Sequence, residues 1–154
     1  MIILLDIDGV LVTQPSWKKV DMDADGFMAF NKQSVGNLAD IISVTNAAVV
    51  LTTTHRITFG LDKWDEIFKL RGINIPAITK LNETISLADM PDRATEIKEW
   101  VDKHSDENYV IIDDDPSINN LSDTIKDRWV ATKPFTGIDK EVKQKALNIL
   151  LNNR

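Results

Sequence analysis

The sequence contains no cysteine, so no disulfide can staple the fold and no thiolate can hold a metal. That absence makes a reducing compartment, the cytoplasm, the default expectation. Positive charge is not in excess either: 18 Lys and Arg face 24 Asp and Glu, a formal net charge of -6. Nothing therefore suggests a sequence-independent grip on nucleic acid. A nucleic-acid end stays open as a substrate, because part of the acidity can belong to a cation site. Long apolar runs are missing too, and no stretch approaches the ~20 residues of a membrane span. The N-terminal apolar run has no basic residue before it and is broken by Asp6, which does not read as a signal peptide. Repeats, low-complexity tracts and linkers are also lacking. At 43% hydrophobic and 27% charged residues, the chain reads as one ordinary globular domain over residues 1–154.

What is present is concentrated at the start. Ile2 to Leu5 form a short apolar run that delivers Asp6 and Asp8 to Gly9. Such a run bounded by Asp and Gly predicts a buried strand. Side chains alternate along a strand, so Asp6 and Asp8 are expected to point the same way. Two adjacent carboxylates repel unless a cation or a shared proton relieves them, an arrangement that points to metal and chemistry.

Similar apolar runs recur at Ala47 to Leu51, Ile73 to Ile78, Tyr109 to Ile112 and Trp129 to Thr132. None alternates cleanly with polar residues, which predicts strands covered on both faces in a parallel sheet. Helical patterns lie between them. Val35, Leu38, Ile41 and Ile42 share one face; Trp64, Ile67, Phe68 and Arg71 share another, with Gly72 as the stop. Ile97, Trp100, Val101 and His104 form a third, with Asp92 placed to cap its start, and Val142, Ala146, Ile149 and Leu150 a fourth. Alternating strands and helices predict an α/β domain, a Rossmann-like three-layer sandwich around a mostly parallel sheet. Ligands in such folds bind at the carboxyl ends of the strands.

The polar residues gather at those ends. The first strand leads into Asp6 and Asp8, the second into Thr52-Thr53-Thr54-His55-Arg56, and the fourth into Asp113-Asp114-Asp115. Arg93 opens the helix before the fourth strand. Each has a bland reading: a turn, a strand-forming Thr run, a solvated acidic loop, a surface ion pair. Their joint occurrence at neighbouring strand ends favours a site. Trp64 and Trp100 read as core.

Together these motifs resemble the haloacid dehalogenase (HAD) phosphohydrolase superfamily. Leu51-Thr-Thr-Thr-His55-Arg56, Arg93-x-x-Glu96-Ile97-x-x-Trp100, Tyr109 to Asp115 and the Thr136-Gly137 turn are similar, within it, to small HAD domains associated with RNA-repair proteins. The resemblance implies Asp6 as a nucleophile forming an aspartyl-phosphate and Asp8 as general acid and base. It implies Mg²⁺ held by Asp6, the Asp8 backbone carbonyl, Asp113 and Asp114. Thr52 would bind a phosphoryl oxygen and Arg93 would stabilise the transferring group, with Lys80 and Lys98 as rivals for that charge. Thr53, His55 and Arg56 are expected to contact substrate.

The gaps from Leu11 to Ala47 and from Arg56 to Arg93 are too short for a substantial cap domain of the kind HAD enzymes carry. A minimal or absent cap leaves the site open and suits a bulky phosphorylated substrate, such as an RNA or DNA end. The resemblance puts Trp17, beside Lys18 and Lys19, in the loop that borders the mouth, where a substrate contact is expected. Two other readings remain: a receiver-like phosphoacceptor domain, which Thr132-Lys133-Pro134 imitates but the motif order disfavours, and a catalytically weak HAD-like binding module.

Overall fold

A computed structural model describes residues 1–13 and 18–152; Trp17 lies outside the described residues. Five strands form one all-parallel sheet: β1 (Ile2–Leu5), β2 (Ala48–Leu51), β3 (Ile78–Lys80), β4 (Tyr109–Asp113) and β5 (Trp129–Ala131), in the order β3-β2-β1-β4-β5. Five helices connect or follow them: α1 (Lys32–Thr45), α2 (Leu61–Leu70), α3 (Arg93–Lys103), α4 (Asp123–Lys126) and α5 (Lys140–Asn152). Short 3-10 turns cover Thr54–Ile57, Leu87–Asp89 and Pro116–Asn120.

The alternation of β-strand side chains sorts the core into two layers. Ile3 and Leu5 join Val49, Leu51, Val110 and Ile112 under α1, α2 and α5. Leu4 faces the other way, with Val50, Ile111 and the α3 residues Ile97 and Trp100. Trp64 and Trp100 are buried in these cores, as their apolar helix faces predict. Connections running outward from β1 to β3 place their helices on one face, and the return from β3 to β4 places α3 on the other. That is the right-handed crossover rule at work. The chain order reverses beside β1, and the switch point opens at the carboxyl ends of β1, β2 and β4.

Local signals set the helix limits. The Asp92 carboxylate accepts the Thr95 N–H at 2.8 Å and caps α3. Gly72, at φ +82°, ends α2 as expected: its N–H bonds the Lys69 carbonyl while Ile73 N–H reaches Phe68 O. One strand differs from expectation. The run from Ile73 to Ile78 is not a strand along its length; β3 begins only at Ile78 and extends to Lys80. Pro76 has no N–H to give to a ladder, while Ile73 and Ile75 are buried as core plugs instead.

Residues 6–31 and 81–92 are the two gaps where a cap would have to sit. Among the described residues they hold turns, the isolated bridges Asp8–Val12 and Met22–Met28 and one 3-10 turn, with no additional layer. No helix among the described residues is long and apolar enough to cross a membrane.

Candidate active site

Register alone assembles the centre of the site. Leu5 pairs with Leu51 on one side and with Ile112 on the other. The next residue along each strand is therefore Thr52, Asp6 and Asp113, side by side in one row. Backbone bonds carry the row past the strand ends: Thr52 N–H donates to Leu5 O at 2.9 Å, and Asp6 N–H to Ile112 O at 3.1 Å. All three side chains are buried.

Asp113 is the hub. One of its oxygens accepts the Arg93 guanidinium at 2.6 Å and the Thr52 hydroxyl at 3.1 Å; the other accepts the Asp115 N–H at 3.0 Å. Arg93 also stands 3.5 Å from Asp6. Burial by itself favours a neutral guanidinium, yet the charges of Asp113 and Asp6 outweigh it and hold Arg93 firmly protonated. Lys80 and Lys98 are placed elsewhere: Lys80 donates to Phe59 O at 2.7 Å, and Lys98 pairs with Asp102 on the surface of α3.

Asp6, Asp113 and Asp114 each offer a carboxylate oxygen within 4.8 Å of the others. Against them stands one buried guanidinium, so three carboxyl groups crowd a single positive charge. Burial, then the Asp113 charge, push the Asp6 carboxyl well above its ordinary range. Burial also raises Asp114, whose carboxylate is hydrogen-bonded to Asp6. The donor set, all oxygen, fits a hard divalent cation. Asp113 is committed on both oxygens to protein donors, which leaves Asp6 and Asp114 the freer ligands.

Gly9 makes this packing feasible. Its φ is +77°, and a Cβ there would lie 2.1 Å from the Asp114 carboxylate. Thr132 donates its hydroxyl to Gly9 O at 2.7 Å and pins the turn.

Asp8 does not join the cluster through its side chain. Because β1 stops at Leu5, strand alternation does not extend to Asp8; its carboxylate is 59% exposed and accepts from His55 Nε2 at 2.8 Å. That hydrogen bond raises the His55 pKa, against the partial burial that lowers it. The His55 ring meets Phe27 edge-on, with centroids 5.6 Å apart. Thr53 is buried and caps the Thr54–Ile57 turn, accepting His55 N–H at 3.2 Å. Arg56, expected at the substrate, is fully enclosed. It donates to Thr52 O at 2.9 Å and Thr53 O at 3.1 Å, and pairs with Glu96. Glu96 was part of a recognised motif without a role; its spacing of three from Arg93 on α3 was the available signal.

The sequence family described as "HAD domain in Swiss Army Knife RNA repair proteins" matches residues 2–142. The chain belongs to that family. Among curated proteins no match is found. The matched span of this HAD domain contains Asp6, Thr52, Arg93 and Asp113, which are buried, and the half-buried Asp114. The family and the all-parallel sheet agree on a Rossmann-like HAD fold.

Proposed function

We propose that this HAD domain is a phosphohydrolase that removes phosphoryl groups from monoesters, with Mg²⁺ bound and Asp6 as nucleophile. The observation that carries the reading is the row Thr52–Asp6–Asp113 at the ends of three parallel strands, with Arg93 and Asp114 closing on it. Asp6 and Asp114 would hold the cation, with the Asp8 carbonyl and Asp113 beside them. When bound, the cation supplies positive charge that keeps Asp6 ionised and offsets repulsion between two anions.

The chain's own residues then have distinct tasks. Asp6 Oδ forms a bond to phosphorus as the ester P–O bond breaks, giving an aspartyl-phosphate. Thr52 turns its hydroxyl from Asp113 to a phosphoryl oxygen, and free Arg93 N–H groups bind another. Asp8 passes a proton taken from its partner His55 to the leaving oxygen, then takes one from the water that cleaves the acyl-phosphate. His55 holds Asp8 from the outer side. Thr53 reaches substrate through its turn rather than its capped hydroxyl, and Arg56 acts from behind.

An uncapped mouth suits a bulky substrate, and the family's link to RNA-repair proteins supports a nucleic-acid end carrying a terminal phosphate. The test is phosphate release from p-nitrophenyl phosphate and from 3′- and 5′-phosphorylated oligonucleotides with Mg²⁺. Turnover abolished by Asp6→Asn and by chelation supports the reading. No sustained turnover by the parent protein on any of these would leave a phosphoacceptor or binding module instead.

A further inference from the structure

Arg56 and Glu96 carry a full ion pair at the bottom of the molecule's most functional region, with 0% and 1% of their side chains exposed. A buried pair of this kind is a poor way to gain stability, because removing both charges from water offsets most of their attraction. This pair is also imperfectly matched: Arg56 Nε has no hydrogen-bond acceptor among the described residues. Its two terminal nitrogens are fully engaged. They reach the carbonyls of Thr52 and Thr53, the Asn82 side chain at 3.1 Å and Glu96. Asn82 in turn donates to Glu96 at 2.6 Å, so Glu96 is held from two sides.

These bonds close a ring. Asp113 accepts from both Thr52 and Arg93. Arg93 lies one helical turn before Glu96 on α3, and helical periodicity sets both on one face. Glu96 grips Arg56, and Arg56 grips the backbone of Thr52 and Thr53. The two groups proposed to touch the phosphoryl oxygens, the Thr52 hydroxyl and the Arg93 guanidinium, thus sit on opposite arms of one frame. Neither arm can shift without straining the other.

The geometry points to Arg56 and Glu96 as positioning residues that fix the Thr52–Thr53 turn relative to Arg93, with Asn82 holding Glu96 in place. Neither touches the substrate. The assignment rests on the phosphohydrolase reading for its catalytic consequence, and on the hydrogen-bond ring for its structural one. A contact that strengthens in the transition state loses kcat when its donor drifts, while substrate binding is little affected.

The decisive variant is Arg56→Met with Glu96→Met, which exchanges the pair for apolar side chains of similar length and leaves no orphaned charge. Melting temperature, kcat and KM for p-nitrophenyl phosphate with Mg²⁺, and amide exchange over residues 52–57 and β4 are measured against the parent. The expected result is a folded protein with kcat at least about 30-fold lower and KM changed by less than about threefold. Exchange over residues 52–57 rises while β4 stays protected. Parental kcat, or a loss matched by the fraction unfolded, overturns the proposal. Should the double variant not fold, Arg56→Lys keeps the charge beside Glu96 but cannot serve all four acceptors. The same kcat loss is then expected, and parental kcat overturns the proposal. If the parent itself does not turn over substrate, the phosphohydrolase reading fails and exchange alone decides the brace. Faster exchange over residues 52–57 in the variant supports it, and unchanged exchange sinks it.

Discussion

Two buried arginines, Arg71 and Arg93, are each surrounded by carboxylates, and the difference between them separates structure from chemistry. Arg71 ends α2 and clamps the loop after β1. It takes Asp25 in a two-pronged grip at 2.6 and 3.1 Å, Asp23 at 3.2 Å, and the carbonyls of Ile67, Phe27 and Met28. The Phe30 ring lies 4.6 Å from its guanidinium carbon. Every direction around it is answered, and Asp23 keeps contact with water, so excess charge is dissipated there. Arg93 holds Asp113 and leans on Asp6, but half-buried Asp114 joins the same cluster, and no second cation among the described residues pairs with it. One cluster is complete within the chain. The other crowds three carboxyl groups onto one guanidinium among the described residues, which makes it the candidate for function.

Removing the proposed nucleophile probes the unfinished cluster most severely. Asp6→Asn should lower turnover by at least roughly a thousandfold, while its melting temperature does not fall because a crowded negative charge is gone. A variant with parental kcat in a phosphate-release assay would break the contrast. Arg71→Met should do the reverse, destabilising the fold by about 3 kcal/mol through its abandoned carboxylates. Its kcat per folded molecule should stay within about threefold, as denaturant titration beside the same assay will report. Cation linkage sharpens the comparison further. Mg²⁺ at about 100 times its Kd should stabilise the parent by about 2.7 kcal/mol. The corresponding rise in melting temperature should shrink in Asp114→Asn and persist in Asp25→Asn.

The smallest effect is titrational. Arg71 holds Asp25 down to about 2, through its hydrogen bond first, against the modest opposing effect of burial. A carboxyl lowered by folding contributes stability that is fully present above its ordinary value near ~4 and is lost as pH falls towards about 2. With water screening this partly open loop, the loss is about 1 kcal/mol. Denaturant midpoints at pH 5, 3 and 2 should converge between parent and Asp25→Asn; a constant difference would remove the assigned role.

Much of the site could be read before the fold because its three strands are short, apolar and end abruptly in polar residues. Asp6, Thr52 and Asp113 follow directly from that pattern, as does the Asp92 cap. Other features depended on contacts across the chain. Arg56 looked like a substrate ligand because nothing local announces Glu96, forty residues away in sequence, as its partner. Asp8 was expected to side with Asp6, but the strand ended first and its carboxylate turned outward to His55. The β3 boundary slipped because apolar composition cannot distinguish a strand from buried core plugs, and Pro76 decided it.

The register of β1 with its neighbours has one more consequence. The pairs that set Asp6 between Thr52 and Asp113 are the same pairs that send Ile3, Leu5, Val110 and Ile112 to a common core. A slip of β4 by one residue would turn its apolar set to the wrong face and carry Asp113 away from Asp6 in the same movement. The hydrophobic layers therefore proofread the candidate site: a misaligned chain exposes oil and pulls the Thr52–Asp6–Asp113 row apart together. On the proposed phosphohydrolase reading, specific activity doubles as a gauge of strand alignment.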